Sequence, residues 1–251
     1  MNIRVDIGSI FCIPLFMDKN DWKLKTKLRE EDLDKEFAFG RVIDTSSSVL
    51  VEIFKEIGPA TTDLSEIVSS GVMFSPVKIF WDGVIKKRWR VIGQTENYDK
   101  FKDSDFSNLK MVFGLDDDMR LRDLATEKET PISRDEIKHY EYATVWSPID
   151  LENRIIQHLR STASMSLDLL IQYLGSLSSE LSKSGKKDTA MFFTERCNIL
   201  ENSGIDSCDA KDALTELTTC RAIAQYGNFS FKEEEILDRV VAEAIRLCAS
   251  E

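Results

Sequence analysis

Ser147-Pro148-Ile149-Asp150 divides the chain into two regimes of sequence. A serine oxygen can take an orphan backbone N–H, proline has the fixed φ of a first helical turn, and an acid there meets the positive end of the helix dipole. The four residues therefore open a helix. After them apolar residues recur every three or four positions to the end of the chain, whereas before them short runs rich in Val, Ile, Phe and Trp alternate with turn residues. The chain reads as β first and α second. The expected class is α+β: a small twisted antiparallel sheet, barrel-like, over residues 1–147, then an all-α helical bundle of four helices over 148–251.

Downstream of the divide, Ile155, Ile156, Leu159, Leu170, Tyr173, Leu174, Leu177 and Leu181 share one face of a long helix. Gly185, Gly204 and Gly227 each follow a last periodic residue, the place where a left-handed residue without Cβ ends a helix. Phe193, Cys197 and Leu200 stripe the second helix, Ala210, Leu214, Leu217, Cys220 and Ala224 the third, and Ile236, Val240, Ala244 and Leu247 the fourth. Short connections make successive helices antiparallel neighbours.

Upstream, Ile7 to Phe16 reads as a first strand interrupted by Pro14, which has no N–H for the ladder and so suggests an edge or a bend. The charged stretch Lys19 to Glu36 is too long for a hairpin loop and is expected to be a mobile insertion or a short exposed helix. Phe37 to Asp44 and Val49 to Ile57 form a strand pair around Thr45-Ser46-Ser47, and Asp63 with Glu66 starts a short helix. Val72 to Trp81 and Val84 to Ile92 flank Asp82-Gly83, which predicts a hairpin with a type I′ turn. Leu109 to Leu115, Met119 to Leu124 and Tyr140 to Trp146 are further strand candidates, with a capping box at Ser133 to Glu136.

Composition narrows the function classes. A net charge of -11 repels phosphates and favours encounter with a cationic protein, so nucleic acid is a poor partner. No apolar run approaches the roughly 20 residues that cross a bilayer, and no secretory leader is recognisable, so the expectation is a soluble cytoplasmic protein without a membrane partner. Five cysteines (Cys12, Cys197, Cys208, Cys220, Cys248) form no Cys-x-x-Cys pair and read as reduced core thiols. His139 and His158 have neither triad context nor a second histidine at ligand spacing, so no catalytic residue, metal ligand or cofactor site is expected.

Two groups of residues remain as candidates. Asp116-Asp117-Asp118 lacks the spacing of a calcium loop and reads as an exposed turn. Together with Asp103, Asp105 and Glu30-Glu31-Asp32 it offers carboxylates to a cationic partner. The glycines Gly8, Gly40 and Gly93 make no phosphate loop and imply tight packing or a bulge in a sheet. Arg41, inside an apolar strand, needs a carboxylate or carbonyl cage, and Trp89 reads as a core or edge anchor.

Read in order, Gly8-Ser9-Ile10-Phe11-Cys12-Ile13-Pro14-Leu15, Phe37-Ala38-Phe39-Gly40-Arg41-Val42 and Trp89-Arg90-Val91-Ile92-Gly93 resemble the immunity protein 26 family of bacterial polymorphic toxin systems. The resemblance covers the first 93 residues by motif and implies a job: stoichiometric binding and neutralisation of a cognate toxin, without catalysis. Such toxins include nucleases with basic clefts, which an acidic inhibitor covers by complementary charge. On this reading Gly8, Phe11, Pro14, Gly40, Arg41, Trp89 and Gly93 are family-motif positions with structural roles. Two other readings compete. A helical adaptor unrelated to toxins would present an apolar groove among residues 149 to 249, and an enzyme using Asp116 and Asp118 would need a pocket of perturbed acids.

Overall fold

A computed structural model describes residues 5–114, 118–203, 205 and 207–249, which fall into two units, Met1–Ile156 and Gln157–Glu251. In chain order the first unit holds β1 (Ser9–Pro14), β2 (Phe37–Asp44), β3 (Val49–Gly58), α1 (Leu64–Ser69), β4 (Val72–Ile79), α2 (Asp82–Ile85) and β5 (Arg90–Gln94). Then come α3 (Lys100–Asp103), β6 (Lys110–Phe113), β7 (Arg120–Asp123), β8 (Glu129–Pro131), α4 (Arg134–Ile137), β9 (Glu141–Tyr142), β10 (Val145–Trp146) and the start of α5 (Pro148–Lys183). One sheet has the order β10-β4-β3-β2-β1-β5 and the other β8-β7-β6-β9. Pairing is antiparallel except where β10 joins β4 and β9 joins β6. The α+β class holds, as two open sheets followed by helices.

Every residue of β1 and β2 is buried, which explains why both read as unbroken apolar runs rather than as an alternating pattern. Ile10, Cys12, Phe37, Phe39, Phe54 and Ile67 form a core on the first sheet. At the end of β2, Ile43 and Leu50 pack with Phe106, Met111 and Leu124. The charged stretch from Lys19 to Glu36 is tied to this body: it has a single 3-10 turn, Glu30–Asp32, and Leu24 and Leu28 are buried, with Leu28 joining Met17 against the core.

The predicted hairpin at Asp82-Gly83 does not form. β4 pairs with β3 and β5 pairs with β1 at the far edge, so the two strands are never neighbours. Residues 82–85 instead make one helical turn, and the Gly83 carbonyl accepts the N–H groups of Arg88 and Trp89 at 2.9 Å. A Cβ at Gly83 would lie 2.5 Å from the Trp89 ring, so this glycine is selected by close packing and not by a positive φ. Tertiary contact has overridden a local turn signal.

In the second unit, α5 continues and is followed by α6 (Lys187–Asn202), α7 (Cys208–Thr219), α8 (Arg221–Gly227) and α9 (Phe231–Ala249). Leu170, Leu174, Leu177 and Leu181 pack with Phe193, Leu200, Leu214, Leu217, Val240 and Leu247 in one core. The third expected helix is two segments, because the chain tightens at Cys220, whose N–H reaches back only three residues to the Leu217 carbonyl. Gly185 ends α5 with φ +82, while the left-handed residue after α8 is Asn228 and not Gly227. Gly204 lies outside the described residues. Cys12 and Cys220 are core thiols, and burial pushes each up to about 11. Cys208 and Cys248 are exposed, a correction to the core assignment: Cys208 opens α7 beside its Ser207 cap, on a face turned from the core. Among the described residues no helix is long and apolar enough to cross a membrane.

Candidate functional site

The motif positions converge on the first sheet, and each is occupied in building it. Phe11 and Gly40 face each other across β1 and β2. The Phe11 ring fills the space a side chain at 40 would need: a Cβ there would sit 2.6 Å from its Cζ. The same ring meets Trp81 edge-on at 5.2 Å and stacks on Trp89 at 5.7 Å. Gly93 on β5 faces Leu64 of α1, 2.5 Å from where a Cβ would stand, and Gly8 adopts φ +85 beside Tyr98. Pro14 ends β1 opposite Phe37. Replacing Gly40 by alanine forces Phe11 or Ile53 from its place and is expected to cost about 1–3 kcal/mol in urea unfolding.

Arg41 has the cage its sequence context demands. Its Nε donates to Glu52 Oε1 at 2.7 Å, and its Nη2 to the Asp103 carbonyl at 2.9 Å and Ser104 Oγ at 3.2 Å. Ser104 Oγ donates to the same Glu52 oxygen at 2.7 Å and lies 2.7 Å from the Tyr98 hydroxyl. The guanidinium sits 4.6 Å from the Tyr98 ring centre. Burial pushes the Tyr98 hydroxyl up to about 12, so it stays protonated and available to this network. Every partner is internal, so Arg41 offers nothing to a ligand.

A second buried network was not foreseen. Arg88, fully buried, donates through Nε and Nη2 to the two oxygens of Glu152, both at 2.7 Å. Trp89 Nε1 donates to Glu152 Oε1 at 2.8 Å, and Lys19 Nζ to Oε2 at 3.0 Å. Arg88 Nη2 also donates to the Asp18 carbonyl at 3.1 Å. One carboxylate on the first turns of α5 thereby ties the charged stretch and the α2–β5 connection to a single point. The adjacent pair Arg88-Trp89, a cation beside an anchor in an apolar segment, was the available signal; nothing near Glu152 marked its role.

The acidic candidates occupy three separate segments. Glu30 is on the 3-10 turn, where Arg90 donates to both its oxygens at 2.8 and 3.1 Å and holds its carboxyl below the usual range. Glu31 pairs with Arg29 at 3.0 Å, and Asp32 with Lys35 at 2.7 Å, which lowers the Asp32 carboxyl likewise. Asp103 ends α3, its carboxylate accepting the Asp99 N–H at 2.8 Å, and Asp105 has the left-handed φ 48 with Asn108 bonded to it. Asp118 pairs with Arg120 at 3.1 Å, while Asp116 and Asp117 lie outside the described residues. Each described acid except Asp103 and Asp105 thus has a nearby cation, which softens the negative field the sequence suggested.

Among the described residues no group of three or more His, Cys, Asp or Glu is arranged to hold a metal ion. One concavity of the helical unit is lined by Tyr173, Glu180, Lys183, Lys232, Ile236 and Arg239 among others, and a second by Thr189, Ala222, Ile223 and Gly227. Residues 6–118 match the family model of Immunity protein 26, the stretch that contains all three motifs. No curated protein and no solved structure matches the chain.

Proposed function

From the Immunity protein 26 match over residues 6–118, we propose that this protein neutralises a cognate bacterial toxin by binding it one to one, without making or breaking bonds. The match carries this reading. The motif geometry supports it: Gly8, Phe11, Gly40, Arg41, Trp89 and Gly93 are consumed in packing and internal hydrogen bonds, which leaves recognition to the surface. A net charge of -11 favours a basic partner such as a nuclease, and long-range attraction would speed the encounter.

The test is rescue of growth when this chain is co-expressed with the toxin domain from a neighbouring reading frame, together with recovery of a 1:1 complex. Absence of both rescue and complex removes the reading. Within it, the 3-10 turn is the acidic patch to probe, since Glu30 and Glu31 are exposed and Asp32 lies partly buried beside them. Reversing Glu30, Glu31 and Asp32 to lysine changes the local charge by six. The association rate is expected to fall about tenfold at low salt, and the loss to shrink as salt rises. Stopped-flow association at several ionic strengths measures both. An unchanged rate moves the contact elsewhere.

A further inference from the structure

Lys78 lies on β4 between Leu50 of β3 and Val145 of β10, and it is only 9% exposed. Its ammonium stands 5.1 Å from the Phe113 ring centre, and the Arg122 guanidinium stands 4.1 Å from the same ring. The other charges around it are engaged. Arg122 Nε donates to Glu129 at 2.8 Å with Glu127 at 3.8 Å, and Asp44 takes Lys100 at 2.6 Å and the Ser46 N–H at 3.1 Å. Among the described residues Lys78 makes no hydrogen bond or ion pair, and the buried Ser48 Oγ also has no partner.

Lys78 and Ser48 line one cavity of about 50 Å³, together with Asp44, Ser46, Arg122 and Glu127. The Lys78 side chain is largely buried while its ammonium keeps an opening to solvent and has no acceptor among the described residues, and an aromatic face returns only about 0.5–2 kcal/mol of the hydration it has lost. What the cavity has in surplus is donors: three N–H and one O–H. Its volume admits one or two waters or a single small polar group. The flanking Asp44 and Glu127 disfavour a doubly charged occupant and tolerate a singly charged one.

We propose that this cavity binds a single carboxylate group, with Lys78 Nζ paired to one oxygen and Ser48 Oγ donating to the other. The group can come from a small free acid or from an acidic side chain of a bound protein. Burial and the charge of Arg122 both hold the Lys78 ammonium below its ordinary range, and a bound anion reverses this. Neither step draws on the toxin reading.

The experiment is an NMR titration of the full chain carrying ¹³C at lysine Cε, with sodium acetate replacing sodium chloride at constant ionic strength. Lys78→Met assigns the signal. A saturable shift of the Lys78 resonance with acetate and none with acetamide is expected, and Ser48→Ala should raise the half-saturation concentration about fivefold. Acetate should also raise the melting temperature of the native chain but not of Lys78→Met. N-acetylaspartate N-methylamide separates the sources: saturable binding supports a protein side chain, and its exclusion while acetate binds supports a free acid. No saturation with acetate, an equal response to acetamide, or acetate stabilisation that survives in Lys78→Met overturns the proposal. If Lys78→Met does not fold, Lys78→Arg assigns the resonance instead, since it removes the same lysine signal while keeping the charge, and the readings on the unaltered protein and Ser48→Ala stand.

Discussion

Replacing Glu152 by alanine is expected to destabilise the protein by about 3 kcal/mol, the cost of leaving a buried cation with only the Asp21 carboxylate, 3.7 Å from its Nη1, as counter-charge. Glu152 and Arg88 are both fully buried, and four donor groups, two of them from Arg88, end on this one carboxylate. Alanine strands the guanidinium and the Trp89 indole N–H together. A paired exchange, Arg88→Met with Glu152→Leu, removes both charges and should recover most of the loss, because apolar replacements of similar volume are often neutral. It should still fall short by about 1–3 kcal/mol, since the indole N–H keeps no acceptor. Urea unfolding followed by tryptophan fluorescence reads both variants. A Glu152→Ala loss under 1 kcal/mol would show that water or another group replaces the carboxylate.

Phe11→Ala should cost a similar amount, about 3–5 kcal/mol, by a different route. The ring is wholly buried between Trp81, Trp89 and the bare backbone of Gly40, so its removal opens a void that three rigid neighbours cannot close. The partnership with Gly40 gives a sharper test. Gly40→Ala alone clashes with Phe11 Cζ, and Phe11→Leu alone leaves space at that atom. The double variant should therefore be more stable than the sum of the two losses predicts, by about 0.5–3 kcal/mol as for residues in contact. Strict additivity would mean that Ile53, 3.0 Å from the same position, takes the strain instead.

The order of β then α was legible because the change of period at Ser147-Pro148 is local, and α5 begins at Pro148. So were the strands with unbroken apolar runs, and the need of Arg41 for a cage. The hairpin at Asp82-Gly83 was misread because turn chemistry reports only what four residues prefer, whereas the path of β5 is decided by pairing with β1, far away in sequence. The role of Glu152 was invisible for the same reason: its partners come from residues 19, 88 and 89. Nothing in the run Val72 to Trp81 singled out Lys78. Phe113 and Arg122 of the second sheet come close to its side chain, which is largely buried.

The strand order has a consequence for how the chain is made. β2, β3 and β4 follow one another and can zip as soon as they leave the ribosome, but the outer partners β5 and β10 arrive later, the last at Trp146. Until then Val72–Ile79 presents an unprotected row of backbone donors and acceptors to any neighbouring nascent chain. Parallel pairing at 145 and 146 covers Lys78 and Ile79 at one end of that edge, so a gene cut just after the third motif would leave the edge open along its whole length to sticking to copies of itself.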